Sequence, residues 1–226
     1  MAGEMVRFPS NGGEAEGYLA KPASGGGPGV VVIQEWWGLV PNIKDICDRF
    51  AGEGFVALAP DLYHGKASTE PDEAGKLMMA LNMGQAAKDL SGAVDYLVGL
   101  DAATGAKVGS VGYCLGGGLS LWLASLKPQV GACVIYYGVL PGAQPDMAAV
   151  QAPVLGHYAE HDDWAGPAAV RDLETKLKDA GKQVEFHTYP DTQHGFFNDT
   201  RPDVHAPEAS QLSWERTLAF YRQHLR

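Results

Sequence analysis

The chain has 226 residues, 46 % of them hydrophobic, and a formal net charge of −10. That length suits one domain spanning residues 1–226, large enough to bury roughly 70 % of its unfolded surface. The acidic balance argues against nucleic acid or an anionic membrane as partner and disfavours a polyanionic substrate.

Residues 1–9 show neither a basic nor an apolar leader region, so no signal peptide is expected. No apolar run approaches the roughly 18 residues of a membrane span. The three cysteines, Cys47, Cys114 and Cys133, are widely spaced and offer neither a metal pair nor a disulfide framework. A reduced, cytoplasmic setting fits them.

In chain order, residues 5–8 and 15–20 read as a hairpin joined by Asn11-Gly12-Gly13. Residues 29–34 are continuously apolar, as a strand covered on both faces should be, and lead into Glu35-Trp36-Trp37-Gly38. Residues 42–53 have helical period, with Ile43, Ile46, Cys47, Phe50 and Ala51 on one face. Gly54 ends that helix and residues 55–59 form the next strand. Residues 66–76 read as a loop entering a helix, and 77–100 as one helix that Gly84 and Gly92 weaken.

A strand from Lys107-Val108 then meets Gly112-Tyr113-Cys114-Leu115-Gly116, with an apolar helix behind it as far as Lys127-Pro128. Residues 130–137 read as a strand, 138–150 as a loop, 152–159 as a strand, 160–164 as a polar turn and 167–180 as a helix. Residues 184–189 read as the last strand, 190–207 as a loop and 209–224 as the terminal helix. Alternating strands and helices predict a mostly parallel sheet with helices on both faces. In such sheets the chemistry lies at the carboxyl ends of the strands. Glu35, Cys114, Asp162 with Asp163, and His194 all fall there.

G-x-C-x-G between a strand and a helix is the nucleophile elbow of an α/β-hydrolase fold, with sulfur in place of the usual hydroxyl. That fold supplies nucleophile, acid and histidine in chain order, and Cys114, Asp162 or Asp163, and His194 follow it. Near neutral pH a few per cent of a free cysteine is thiolate, the nucleophilic form, and a histidine oriented by a carboxylate activates it. The Leu115 N–H opens the elbow helix and points where an oxyanion would form. The Trp36 N–H, after the earlier strand, is the candidate second donor.

Cys47 and Cys133 read as small buried hydrophobes, and His64, His157 and His161 as structural or solvated. Trp36, Trp37, Trp164, Phe196 and Phe197 either line an apolar pocket or belong to the core. Of Asp162 and Asp163, the one that does not serve the histidine is expected to cap the helix at Pro167. No His-Glu-x-x-His pattern occurs, and no metal site is expected.

Taken together, Gln34-Glu35-x-x-Gly38, Pro60-Asp61-Leu62-Tyr63, Val111 to Gly117, Tyr136-Tyr137-Gly138, the acidic turn near Asp162, and His194-Gly195-Phe196 resemble the dienelactone hydrolases (carboxymethylenebutenolidases) over almost the whole chain. The resemblance implies an α/β-hydrolase fold and a Cys-His-Asp triad without cofactor. It assigns Cys114 as nucleophile, His194 as base and Asp162, rather than Asp163, as its orienter. It also implies that Glu35 contacts the resting thiol and helps form the thiolate. The arginines with which the family holds a substrate carboxylate are not matched: none occurs between Arg49 and Arg171, and the fourth residue after His194 is Asn198.

The expected substrate is therefore a small lactone or carboxylic ester, with a thioester or a redox-sensing role for the thiol as rival readings. A monomer or small homo-oligomer is expected.

Overall fold

The computed structural model describes residues 3–139 and 145–225. Its elements in chain order are β1 (Glu4–Ser10), β2 (Gly13–Ala20), β3 (Gly27–Ile33), α1 (Pro41–Gly52), β4 (Val56–Pro60), α2 (Pro71–Met79) and α3 (Met83–Val98). There follow β5 (Ala103–Tyr113), α4 (Leu115–Leu126), β6 (Val130–Tyr136), β7 (Val154–His161), α5 (Pro167–Asp179), β8 (Val184–Gln193) and α6 (Pro207–His224). The strands form one sheet in the order β1-β2-β4-β3-β5-β6-β7-β8. β1 and β2 pair antiparallel, as do β2 and β4, and every other pairing is parallel. This is the α/β-hydrolase arrangement.

The hairpin turns on two residues, because Ser10 pairs with Gly13 and both Asn11 and Gly12 have positive φ. Such a turn matches the twist of its flanking strands. Along β3 the side chains alternate between two cores. Val30 and Val32 pack with α1 and α6 residues such as Phe50, Trp214 and Tyr221, while Val31 and Ile33 pack with Leu90, Leu119 and Leu123 of α3 and α4. Helices cover both faces, so the strand needs no polar side. The buried face of α1 carries the five residues its period predicts, joined by Asn42.

Three boundaries differ from the sequence reading. The single helix over 77–100 is two helices, parted at residues 80–82, and the first begins at Pro71. The break belongs to Asn82, whose Oδ1 accepts from the Gln85 N–H at 3.0 Å and caps α3. Gly84 and Gly92 do not cause it. β5 starts earlier than expected, and β8 runs on past Tyr189 through a register shift to Gln193, bringing the strand to the residue before His194. Of the predicted loop over 138–150, residues 140–144 lie outside the described residues.

Gly92 lets α3 pack closely on β1, since a Cβ there would lie 2.4 Å from the Pro9 carbonyl oxygen. Gly52, in the last turn of α1, has nothing within 4 Å of a Cβ. Gly92→Ala is therefore expected to lower unfolding free energy by about 1–3 kcal/mol through overpacking. Gly52→Ala should raise it by about 0.5–1 kcal/mol through helix propensity. Urea denaturation of the two variants checks both signs.

Candidate active site

The elbow is a forced conformation. Between β5 and α4, Cys114 sits at φ 55° and ψ −118°, outside the regions open to ordinary L-residues. Its N–H donates to the Tyr136 carbonyl at 3.1 Å, and its carbonyl accepts from the Gly117 N–H at 3.0 Å. The flanking glycines are a steric requirement. A Cβ on Gly112 would stand 1.8 Å from the Gly116 oxygen, and one on Gly116 would stand 2.5 Å from the carbonyl oxygens of Ile33 and Gln34. The strand thus runs into its helix with no room for a side chain on either side of the bend, and the Cys114 side chain is left half-buried at the apex.

The structure brings His194 and Asp162 together at the neighbouring strand ends. His194 Nδ1 and Asp162 Oδ2 are 2.9 Å apart. The other oxygen of Asp162 accepts from the backbone N–H groups of Trp164 at 2.8 Å and Ala165 at 2.7 Å. Asp163 is exposed and plays no part in this network, nor does it cap α5, whose N-cap is Gly166 without a side-chain bond. The expected capping role for the spare aspartate is thereby corrected: Pro167 and the turn held by Asp162 start that helix.

Burial alone would depress the His194 pKa. The Asp162 hydrogen bond and the nearby Cys114 sulfur outweigh it and push the imidazole up to about 10. Burial also works to raise the Asp162 pKa, but the His194 contact and the two N–H donors leave it below the usual carboxylate value. His194 Nε2 is buried and makes no hydrogen bond to a described residue. It lines a cavity of about 140 Å³ with Cys114, Leu115, Tyr137, Trp164 and Ala165.

Glu35 is 3 % exposed, and both of its oxygens are taken. Oε1 accepts from the Tyr137 hydroxyl at 3.3 Å and Oε2 from the Asn198 amide at 2.9 Å. Burial raises its pKa against the pull of these donors and of His194. The carboxylate is thus turned to Tyr137 and Asn198. Sequence reasoning missed both partners. At the position where the resemblance expects an arginine for a substrate carboxylate, Asn198 instead donates to Glu35.

The Trp36 N–H is given to no acceptor among the described residues. Leu115, first in α4, has an N–H that no preceding helical carbonyl can reach. Neither expected oxyanion donor has an acceptor among the described residues.

The aromatic residues divide. Phe196 and Phe197 are core, Trp164 is 62 % exposed beside the cavity, and Trp36 packs its ring 5.8 Å from that of Trp164. Cys47 and Cys133 are fully buried, and His157 bonds to Tyr189 and Thr217 within the core. Glu160, His161 and Asp191 bring possible metal-ligand atoms within 4.8 Å of one another, but all three are exposed and none lines the cavity.

Residues 15–225 match the model of the dienelactone hydrolase family. The chain belongs to that family. It is 40 % identical to Protein usf of Aquifex pyrophilus, covering 99 % of both chains. It is 34 % identical to a provisionally named carboxymethylenebutenolidase of Aquifex aeolicus, over 99 % of this chain and all of that one. Among solved structures, a provisionally named dienelactone hydrolase of Klebsiella pneumoniae superposes with a TM-score of 0.88 at 28 % identity, covering 99 % of this chain and 100 % of the other. Membership makes the chain a carboxymethylenebutenolidase-like hydrolase of lactones or carboxylic esters. No helix among the described residues is long and apolar enough to cross a membrane.

The ion pair has a definite pH signature. A raised histidine contributes stability in full below its ordinary value of 6.5, and that contribution is lost as pH rises through about 10. The depressed Asp162 contributes above its ordinary 3.8 and is lost on the acid side. An NMR titration should therefore place the His194 midpoint near 10, and Asp162→Asn should move it down towards 6.5. An unmoved midpoint would show that Asp162 does not hold the proton there.

Proposed function

We propose that the chain opens small, neutral lactones or carboxylic esters through an acyl-thioester on Cys114. The observation that carries this reading is the ordered contact Asp162–His194 beside a half-buried thiol on a strained elbow. His194 is held as a cation by Asp162, and the nucleophile is the Cys114 thiolate formed as its proton is taken on substrate entry. The sulfur attacks the carbonyl carbon and forms a C–S bond. The developing oxyanion is received by the N–H groups of Leu115 and Trp36, each such donor being worth about 3–4 kcal/mol of transition-state stabilisation.

As the tetrahedral adduct collapses, the C–O bond breaks and the leaving oxygen takes the His194 proton. In a lactone that alcohol remains tethered. Water then attacks the thioester while His194 accepts its proton, and the acid is released with the thiolate restored.

Glu35 is assigned its part by resemblance to the family, taking the thiol proton as substrate enters. Its raised pKa suits a proton acceptor, and the step requires release of the 3.3 Å Tyr137 bond. Apart from His194, the described residues of the cavity wall carry no charge, and no lysine or arginine stands there to grip a substrate carboxylate, which favours a neutral substrate. The three unpaired cysteines support a cytoplasmic setting.

Cys114→Ala should lower hydrolysis of a chromogenic short-chain ester by about three orders of magnitude or more. Full activity in that variant would sink the proposal. Rates on a lactone, an aryl ester and an acyl thioester, compared as kcat/KM, should rank the oxygen esters first. A clear preference for the thioester would reassign the substrate class, and thiol oxidation without turnover on any of them would point to a redox role.

A further inference from the structure

A second and larger cavity, of about 450 Å³, lies beside Asn198 and shares no lining residue with the cavity at Cys114. Four features of its wall point to one kind of ligand. Asn42 is 7 % exposed and lines the cavity, yet its side-chain amide makes no hydrogen bond to any described residue.

Arg201 also lines the cavity, 38 % exposed, with its guanidinium 5.9 Å from the ring centre of Trp37. One of its nitrogens reaches the exposed Asp203 at 2.7 Å, and the rest of the fork has no partner among the described residues. The third feature is the start of α1. Pro41 and Asn42 are its first residues, no side chain caps it, and its first turn holds no acid. Its positive end is therefore unanswered at the cavity wall. The start of α2 at Pro71 also reaches the wall, but Asp72 and Glu73 in its first turn already oppose its dipole. Fourth, Trp37, Val40 and the two prolines give the wall an apolar stretch, beside Ser68, Thr69, Asn198 and Thr200.

A guanidinium fork, a free amide and a bare helix start ask for a planar oxyanion with two acceptor oxygens. The apolar wall asks for a hydrocarbon body attached to it. The net charge of −10 opposes a polyanion. We propose that this cavity binds a small organic monocarboxylate, its carboxylate gripped by Arg201 and Asn42 and its apolar body laid against Trp37. The site stands on its own residues and does not depend on the hydrolase reading.

Benzoate is the probe, titrated into the full chain and followed by calorimetry and by two-dimensional NMR of the side-chain amides and indoles. Benzoate should shift the Asn42 amide and the Trp37 indole and leave the Trp164 indole, at the other cavity, in place. Arg201→Gln should weaken binding by about tenfold or more, and Asn42→Ala by about fivefold. Arg201→Lys should fall between wild type and Arg201→Gln, and benzamide, which lacks the charge, should bind about tenfold more weakly than benzoate. Arg201 is half-exposed, so its variants test the site even where Asn42→Ala unsettles α1. Shifts centred on Trp164, equal affinity in Arg201→Gln and wild type, or no binding at millimolar benzoate would each overturn the proposal.

Discussion

The close approach of β5 and α4 is the constraint on which the site depends. Two backbones meet where Gly112 faces the Gly116 carbonyl, and the residue between the strand and the helix is driven into a conformation that costs about 1–3 kcal/mol. β5 lies at the centre of the sheet, between β3 and β6, so the strain is held by pairing on both sides. One bend then does two things. It lifts the Cys114 side chain out of the packed layer, and it leaves the Leu115 N–H without a helical acceptor beside the sulfur. The half-exposed thiol and the uncapped Leu115 N–H share one backbone cause.

Two buried carboxylates stand near His194 and are treated in opposite ways. Asp162 faces the imidazole and two backbone N–H groups, and its proton affinity falls. Glu35 faces a phenol and an amide, both neutral, and its proton affinity rises. Environment alone separates them: charged and multiple donors favour the anion, whereas burial with neutral donors favours the acid.

Much of the fold was legible because its signals are local. Asn11-Gly12 specifies its own turn, the apolar run of β3 can only be a doubly covered strand, and the elbow glycines sit within a few residues of the cysteine they serve. The break between α2 and α3 was not legible, because Leu81 and Met83 continue an apolar pattern across it and only the Asn82 cap interrupts the backbone. The candidate triad residues showed through the order imposed by the fold. The partners of Glu35 did not, since Tyr137 and Asn198 lie 102 and 163 residues away in sequence and nothing local marks them. The five aromatic residues at strand ends could not be sorted by type. Burial divides them, sending Phe196 and Phe197 inward and leaving Trp164 out.

β7 and β8 pair across a register shift, and past that irregularity His161 meets Gln193, one residue before the histidine. The separation of His194 from Asp162 is therefore set by strand registry and not by the loops that carry them. A slip of one pair along β8 would turn Gln193 to the opposite face and carry the imidazole away from its carboxylate, while the sheet itself remained intact. Secondary structure and chemistry can thus part company in this molecule. A chain that has collapsed, formed its helices and paired its strands off by one would look folded by circular dichroism yet lack the His194–Asp162 contact, so only registration of the last strand in sequence separates the two states.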